Sequence, residues 1–355
     1  MIRRPPRSTL DRSSAASDVY KRQGIDPLVL DAGDLFFSTT KLNVNNKKAE
    51  LYRAEAILEG YNRIGCDAIN VGHYEMLNGL TFLKEMAGKT EIPFLSANLR
   101  DPNSNELIFE PFHIIERDEI KVGIIGVTSK LPDTCKSMIA DNYIDAGNHY
   151  IDQVSKQADI IVMLVNSDRG SQGELPDQFS NADFIVTSGS TNMSRVNSPQ
   201  KDGGPYFYSC GKQGKYLLVV NVDIKDSGVP IVNISSHEKK LKSIKKRFER
   251  LQKKDPDKTL EEIYEKQENV LKLITQYRDD LIQSETAINA AVNTLEFQTV
   301  ALNRKVQDDP ELLAFVDKSL ATCSSLKSEI PTKPGIGIKA RKTKELNHAG
   351  HNHLG

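Results

Sequence analysis

Residues 24–236 alternate short, continuous apolar runs with stretches of helical spacing, and few folds accommodate that pattern. The runs at 27–31, 67–71, 93–97, 120–127, 159–165 and 183–187 are rich in Val, Ile and Leu. A strand that is apolar at nearly every position is covered on both faces, as in a largely parallel sheet flanked by helices. Between the runs, residues 48–64 place Leu51, Ala54, Ile57, Leu58, Tyr61 and Ile64 at helical spacing, and residues 149–158 read as a further helix. The expectation is an α/β fold with sheets packed between helices. After residue 205, the segments 206–210, 216–224 and 229–236 are joined by glycine-containing turns, which predicts consecutive strands in antiparallel pairing.

From Glu238 the composition shifts. Residues 238–254 carry nine basic and two acidic side chains, with Leu241, Ile244, Phe248 and Leu251 as an apolar stripe. Asp255-Pro256 breaks that helix, and Thr259-Leu-Glu-Glu262 is a capping box that opens another. Leu260, Ile263, Gln267, Val270, Ile274, Tyr277, Leu281, Ser284, Ile288, Ala291 and Leu295 then alternate spacings of three and four, the seam of a coiled coil. Residues 255–280 hold eight acidic and four basic side chains. The pattern predicts a hairpin in which the acidic helix neutralises the basic one; the alternative is an anion-binding arm. Residues 259–296 are also the candidate surface for self-association. Asp309-Pro310 opens a short helix. The tail 327–355 reads as flexible, with His348, His351 and His353 as a weak metal-binding group. The expected division is 1–23, 24–236, 237–326 and 327–355.

The first segment stands apart. Residues 1–23 hold six basic and two acidic residues and four serines, with no apolar core of the kind a secretory signal needs. They resemble translated sequencing-adapter read-through, so the expectation is that this run is not native and that a genuine leader has been replaced. Over the whole chain, 47 basic and 48 acidic residues give a net charge of −1, which argues against a nucleic-acid or anionic-membrane binder acting through the charge of the whole protein. No apolar run reaches the length of a membrane-spanning helix. Cys66, Cys135, Cys210 and Cys323 form no C-x-x-C pair, which removes iron–sulfur and cysteine-type zinc sites.

Three strand ends carry the chemistry. Asp31-Ala-Gly-Asp34 turns a carboxylate out of a buried strand, where open α/β sheets place their sites and where a carboxylate suits a hard divalent cation. Val71-Gly-His73-Tyr74-Glu75 and Leu95-Ser-Ala-Asn98 follow the next two strands. Each singled-out residue also has a purely structural reading. Asp34 can cap a loop, His73 can be a packed and hydrogen-bonded histidine, and Tyr74 can be a packing residue. His113 falls on the exposed side of a strand.

In this order and spacing the motifs resemble the 5'-nucleotidase branch of the calcineurin-like metallophosphoesterases, over about residues 24–236. Lys121-Val-Gly-Ile-Ile-Gly126 and Gly211-Lys-Gln-Gly-Lys215 add to the resemblance. It implies an α/β/β/α sandwich with mixed sheets, and two divalent ions of the Mn, Zn or Mg class that clamp a phosphate and activate water for in-line attack. The family's D-x-H-G motif, on its first strand, would lie before Gly24, so that strand is expected to be missing. The bridging aspartate falls on Asp34. The family's G-N-H-E falls on Gly72-His73-Tyr74-Glu75, which puts His73 at the asparagine ligand and Tyr74 at the catalytic histidine. Asn166 and Asp168 stand as weaker metal donors at a strand end where a histidine is implied. Ser188-Gly-Ser-Thr191 stands where G-H-x-H is implied. Asn98 is the substrate-binding candidate.

The resemblance therefore implies a small phosphorylated ligand, export to the periplasm or beyond, and a scaffold whose catalysis is reduced or lost. Two other readings accompany it. One is a working hydrolase completed by an upstream motif. The other is a non-enzymatic protein that assembles through its coiled coil.

Overall fold

A computed structural model of the chain describes residues 26–196, 198, 200–211, 216–303 and 309–327. The adapter-like run and the tail histidines lie outside these residues, as do residues 212–215 of the Gly211 motif.

The first sheet is parallel and holds β1 (Leu30–Asp31), β2 (Ala68–Asn70) and β3 (Phe94–Leu95) in that order. Its connections are α1 (Lys47–Ile64), which ends on a left-handed Gly65, and α2 (Gly79–Ala87). A short pair joins β4 (Leu99–Arg100) to β7 (Ile139–Ala140). The second sheet has the order β10-β9-β8-β6-β5. It contains β5 (Phe112–Arg117), β6 (Ile120–Thr128), β8 (Ile160–Asn166), β9 (Phe184–Ser188) and β10 (Tyr206–Ser209), and only β5 runs antiparallel to its neighbour. Helices α3 (Tyr143–Val154) and α4 (Leu175–Gln178) lie between its strands in sequence.

Side-chain alternation along the central strands shows why the sheets must be sandwiched. On β6 and β8, Ile124, Val162 and Leu164 face one core, where they meet Ala32, Ala68 and Leu95 of the first sheet. Their neighbours Ile125, Ile161, Met163 and Val165 face the opposite core with Ile151 and Val154 of α3 and Phe179. Outside the first sheet, Ile69 and Val71 pack with Ala54 and Leu58 of α1 and Leu83 and Met86 of α2. The layers are therefore helix, sheet, sheet, helix. This is the expected metallophosphoesterase-like arrangement, and its apolar runs are continuous because both strand faces are buried.

The C-terminal third departs from expectation in three ways. Segments 206–210, 216–224 and 229–236 do not pair with one another. β10 joins β9 in parallel, while β11 (Tyr216–Asp223) and β12 (Ile231–Asn233) flank β13 (Asn293–Ala301). Residues 234–236 open α5 (Ile234–Gln252), with the Asn233 side chain accepting from the Ser236 N–H.

The coiled-coil seam is also cut short. Thr259 and Glu262 form the capping box, but α6 (Leu260–Ile263) is a single turn. The long helix α7 covers only Glu268–Ala290. Ala291 is extended, and Leu295 sits fully buried in the inter-sheet core beside Phe297. From Asn293 the buried positions recur every second residue, and that period fits a strand between two partners rather than a helical seam. Helices α5 and α7 do lie side by side, with Phe248 edge-on to Tyr277 at 6.1 Å between ring centres. Finally, the acidic helix does not neutralise the basic one, because Lys240 to Asp280 is the only ion pair between them among the described residues. Helix α8 (Pro310–Ser325), capped by Asp309, packs Leu312 and Val316 against Ile64 of α1.

Candidate functional site at the strand ends

Parallel β1 and β2 deliver their following loops to the same edge of the first sheet, and β8 and β9 do the same for the second. Four loops therefore converge at the carboxyl ends, the position where α/β sheets build sites.

Two glycines let the loops touch. Gly33 has φ +96°, and a Cβ there would fall 2.8 Å from the Gly72 Cα. A Cβ on Gly72 would fall 2.6 Å from the Asp34 nitrogen. Contacts that close leave no room for a side chain at either position. Asp34 itself is left-handed at φ +67°. Its Oδ1 accepts the Tyr74 N–H at 3.0 Å, which ties the β1 loop to the β2 loop.

Glu75 organises the junction. It is fully buried, and its carboxylate accepts four backbone N–H groups. Oε2 takes Asp34 (2.8 Å) and Gly72 (2.9 Å), and Oε1 takes Leu35 (2.6 Å) and Phe36 (3.0 Å). Burial, and then the charge of Asp34, push the Glu75 carboxyl up to about 7 against the pull of those donors. The sequence reading quoted Glu75 but gave it no role. An acid three residues after a glycine at a buried strand end was the available signal.

The second sheet meets this junction through neutral groups. Asn166 and Ser188 are register partners at the ends of β8 and β9. The Asn166 Oδ1 accepts the His73 N–H at 3.1 Å, and its Nδ2 donates to the Ser188 Oγ at 2.7 Å. The Ser188 hydroxyl donates onward to the Ala32 carbonyl at 2.6 Å. Beyond it, Ser190 donates to Gln172 at 2.7 Å, and Gln172 reaches the Ser188 carbonyl at 3.1 Å. In the sequence Ser188 marks only a run where histidines are implied and absent, and a lone Gln172 carries no pattern.

The structure thus brings together Asp34, His73, Tyr74 and Asn166, and leaves out two candidates. Asp168 is exposed and accepts from the Gly170 and Ser171 N–H groups, as a local turn cap. The Asn98 amide is buried and fully committed. It donates to the Thr128 and Asp141 carbonyls and accepts from the Thr128 N–H, so it has no free group for a substrate. Tyr74 is half-buried, and burial and Asp34 raise its phenol above its ordinary range, so it is no proton carrier near pH 7. His73 Nδ1 lies 3.2 Å from the Lys130 carbonyl, a bond that requires its proton on Nδ1.

A divalent ion fits this donor set poorly. Both Glu75 oxygens are occupied by N–H groups, and the Asn166 amide is spent on His73 and Ser188. Asp34 and His73 are two donors where ions of the Mn, Zn or Mg class take four or more. Among the described residues, no group of three or more His, Cys, Asp or Glu side chains is placed to hold a metal.

No family model matches the chain. Protein UshA of Salmonella pullorum is 38% identical over 104 residues, 29% of this chain and 18% of that protein. A 5'-nucleotidase of Vibrio cholerae is 34% identical over 114 residues, 32% of this chain and 19% of that protein. The aligned stretch thus spans about a fifth of the length of these relatives. In three dimensions the chain is similar to the calcineurin-like phosphoesterase YfkN of Bacillus subtilis, with a TM-score of 0.60 at 16% identity, over 91% of this chain and 92% of the other.

Proposed function

We propose that this chain, with the calcineurin-like phosphoesterase fold and relatives in the 5'-nucleotidase branch, keeps the scaffold of a nucleotide phosphomonoesterase while its hydrolysis is reduced or lost. One observation carries the reading. The loops that would present nitrogen donors to a pair of ions are tied to each other, through the Asn166 bonds to His73 and Ser188 and the Ser188 bond to Ala32. Asp34 is retained, but it faces the Tyr74 backbone, and Tyr74 stands at the position where the resemblance implies the catalytic histidine. What remains at the surface of the cluster is the Asp34 carboxylate, the His73 ring and the Tyr74 phenol, a set suited to a hydrogen-bonded ligand bearing phosphate. Export, carried over from the same relatives, is part of this proposal. No helix among the described residues is long and apolar enough to cross a membrane.

The experiment is phosphate release from a panel of nucleoside 5'-monophosphates by the purified full chain, with Mn²⁺, Zn²⁺ or Mg²⁺. The expected result is release at the level of the buffer blank. Sustained multiple turnover with the metal present that disappears in Asp34→Asn overturns the proposal.

A further inference from the structure

The basic run that opens the C-terminal third does not find its acid partners. Lys239, Lys242, Lys246, Arg250 and Lys253 are exposed, and among the described residues none has a carboxylate within ion-pair distance. They are spaced at 0, 3, 7, 11 and 14 residues, which puts them on one narrow face of the helix, about 20 Å from end to end. The opposite face carries Leu241, Ile244, Phe248 and Leu251. There Ile244 is buried, and Phe248 and Leu251 pack with Leu260, Tyr264 and Ile274. The helix is therefore anchored through its apolar side and presents a row of uncompensated cations to solvent. Of the remaining basic groups, Lys240 pairs with Asp280, Arg247 lies over the Tyr277 ring at 5.0 Å and Lys254 over Tyr264 at 5.0 Å, while Lys245 is exposed beside the row.

Holding five like charges in a row costs free energy unless something anionic meets them. The neighbouring face of α7 offers no acidic complement in a second copy, because it mixes Glu268 and Asp279 with Lys272. A nucleic-acid groove meets an inserted helix with phosphates on both sides, which calls for basic residues on both flanks. Here one flank carries Glu238 and Glu249, and no aromatic residue interleaves the row to stack on bases. A straight, narrow cationic ridge touches a plane along its whole length. Four of the five residues are lysine, a compact hydrated charge suited to diffuse attraction rather than to forked recognition of a single group. With the apolar stripe already packed inside the protein, attachment is electrostatic and not insertive.

We propose that the outer face of α5 docks the protein on the surface of an anionic lipid bilayer through Lys239, Lys242, Lys246, Arg250 and Lys253. The surface is separate from the strand-end cluster and does not depend on the reading of its chemistry.

The test is co-sedimentation of the full chain with vesicles of phosphatidylcholine alone or mixed with phosphatidylglycerol. The expected result is binding that requires phosphatidylglycerol and falls steeply with added salt, since exposed charges are screened over about 10 Å at 0.1 M. The combined variant Lys242→Gln, Lys246→Gln, Arg250→Gln is expected to bind roughly 100-fold more weakly, at about fivefold per charge, with unchanged circular dichroism. The pair Lys239→Glu, Lys253→Glu is expected to do the same, and Lys272→Gln on α7 is expected to bind as the parent does. Equal binding to neutral vesicles, or a triple variant that binds like the parent, overturns the proposal. So does retention on DNA or heparin with no binding to anionic vesicles.

Discussion

The Asn166 carboxamide donates to the Ser188 hydroxyl at 2.7 Å, and the two residues face each other in register at the ends of β8 and β9. Both lie in segments where the family resemblance implies histidines and where this chain has none. Through Ser188 the link continues to the Ala32 carbonyl in the first sheet, and through Asn166 it reaches His73. Groups that would face a ligand in a dinuclear cage instead face one another across the two sheets.

The link is expected to be structural. Asn166→Ala strands the His73 N–H and takes away the donor to the Ser188 oxygen, and Ser188→Ala strands the Asn166 Nδ2, at about 1–3 kcal/mol each. In denaturant unfolding the double variant is expected to lose less than the sum, because the second substitution removes a partner that the first has already left unpaired. Strict additivity would count against the link.

Divalent ions are expected to leave the thermal midpoint unmoved. A ligand at 100 times its dissociation constant stabilises a protein by about 2.7 kcal/mol, a readily measured shift. With both Glu75 oxygens and the Asn166 amide already occupied, neither Mn²⁺ nor Zn²⁺ is expected to raise the midpoint, and chelator is not expected to lower it. Calorimetry that detects two tight ions would contradict this.

Glycine is required where the loops cross. Gly33→Ala places a Cβ at φ +96° and 2.8 Å from the Gly72 backbone. The strained conformation and the backbone clash together cost about 2–4 kcal/mol. Gly173→Ala, with nothing within 4 Å of its Cβ, is the matched control and is expected to be nearly neutral in the same unfolding measurement.

Glu75 predicts a pH dependence of definite sign. Burial and Asp34 raise its carboxyl from the ordinary 4.5 to about 7, so the folded state holds a proton that the unfolded chain has released. The stabilisation is complete below about pH 4.5 and is lost as pH rises through 7. Stability measured between pH 5 and 8 is therefore expected to decline. Glu75→Gln should flatten the slope while destabilising the fold at every pH, because its amide cannot accept two of the four N–H groups. A slope identical to that of the parent would rule out Glu75 as its source.

The reassigned C-terminal strand is testable by contrast. Leu295 is fully buried in the inter-sheet core, whereas Ile282 on α7 is 61% exposed. Leu295→Ala is expected to cost about 2–5 kcal/mol and Ile282→Ala less than about 0.5 kcal/mol. Equal, small effects would favour a helical seam through 291–295 over the strand.

The sequence alone determined the strands with buried faces, the helices between them and the order in which the strand-end motifs arrive. Those features are written in local composition: runs such as 120–127 and 159–165 are apolar at nearly every position because both faces are covered, and Asp309-Pro310 caps a helix by itself. The identity of Asp34, His73 and Tyr74 as neighbours was legible too, because glycine-ended strands in a parallel sheet must open at one edge. Tertiary structure alone decided what those residues touch. The link from Asn166 through Ser188 to Ala32 spans over 150 residues, and a hydroxyl in sequence shows no partner. The same holds for Leu295, whose spacing satisfied a helical seam, while its burial was decided by β11 and β12 standing ready on either side. Charge behaved likewise: composition counted acids near the basic helix, and only the packing of α5 on α7 determined that one of them pairs and that the outer row of cations is left facing water.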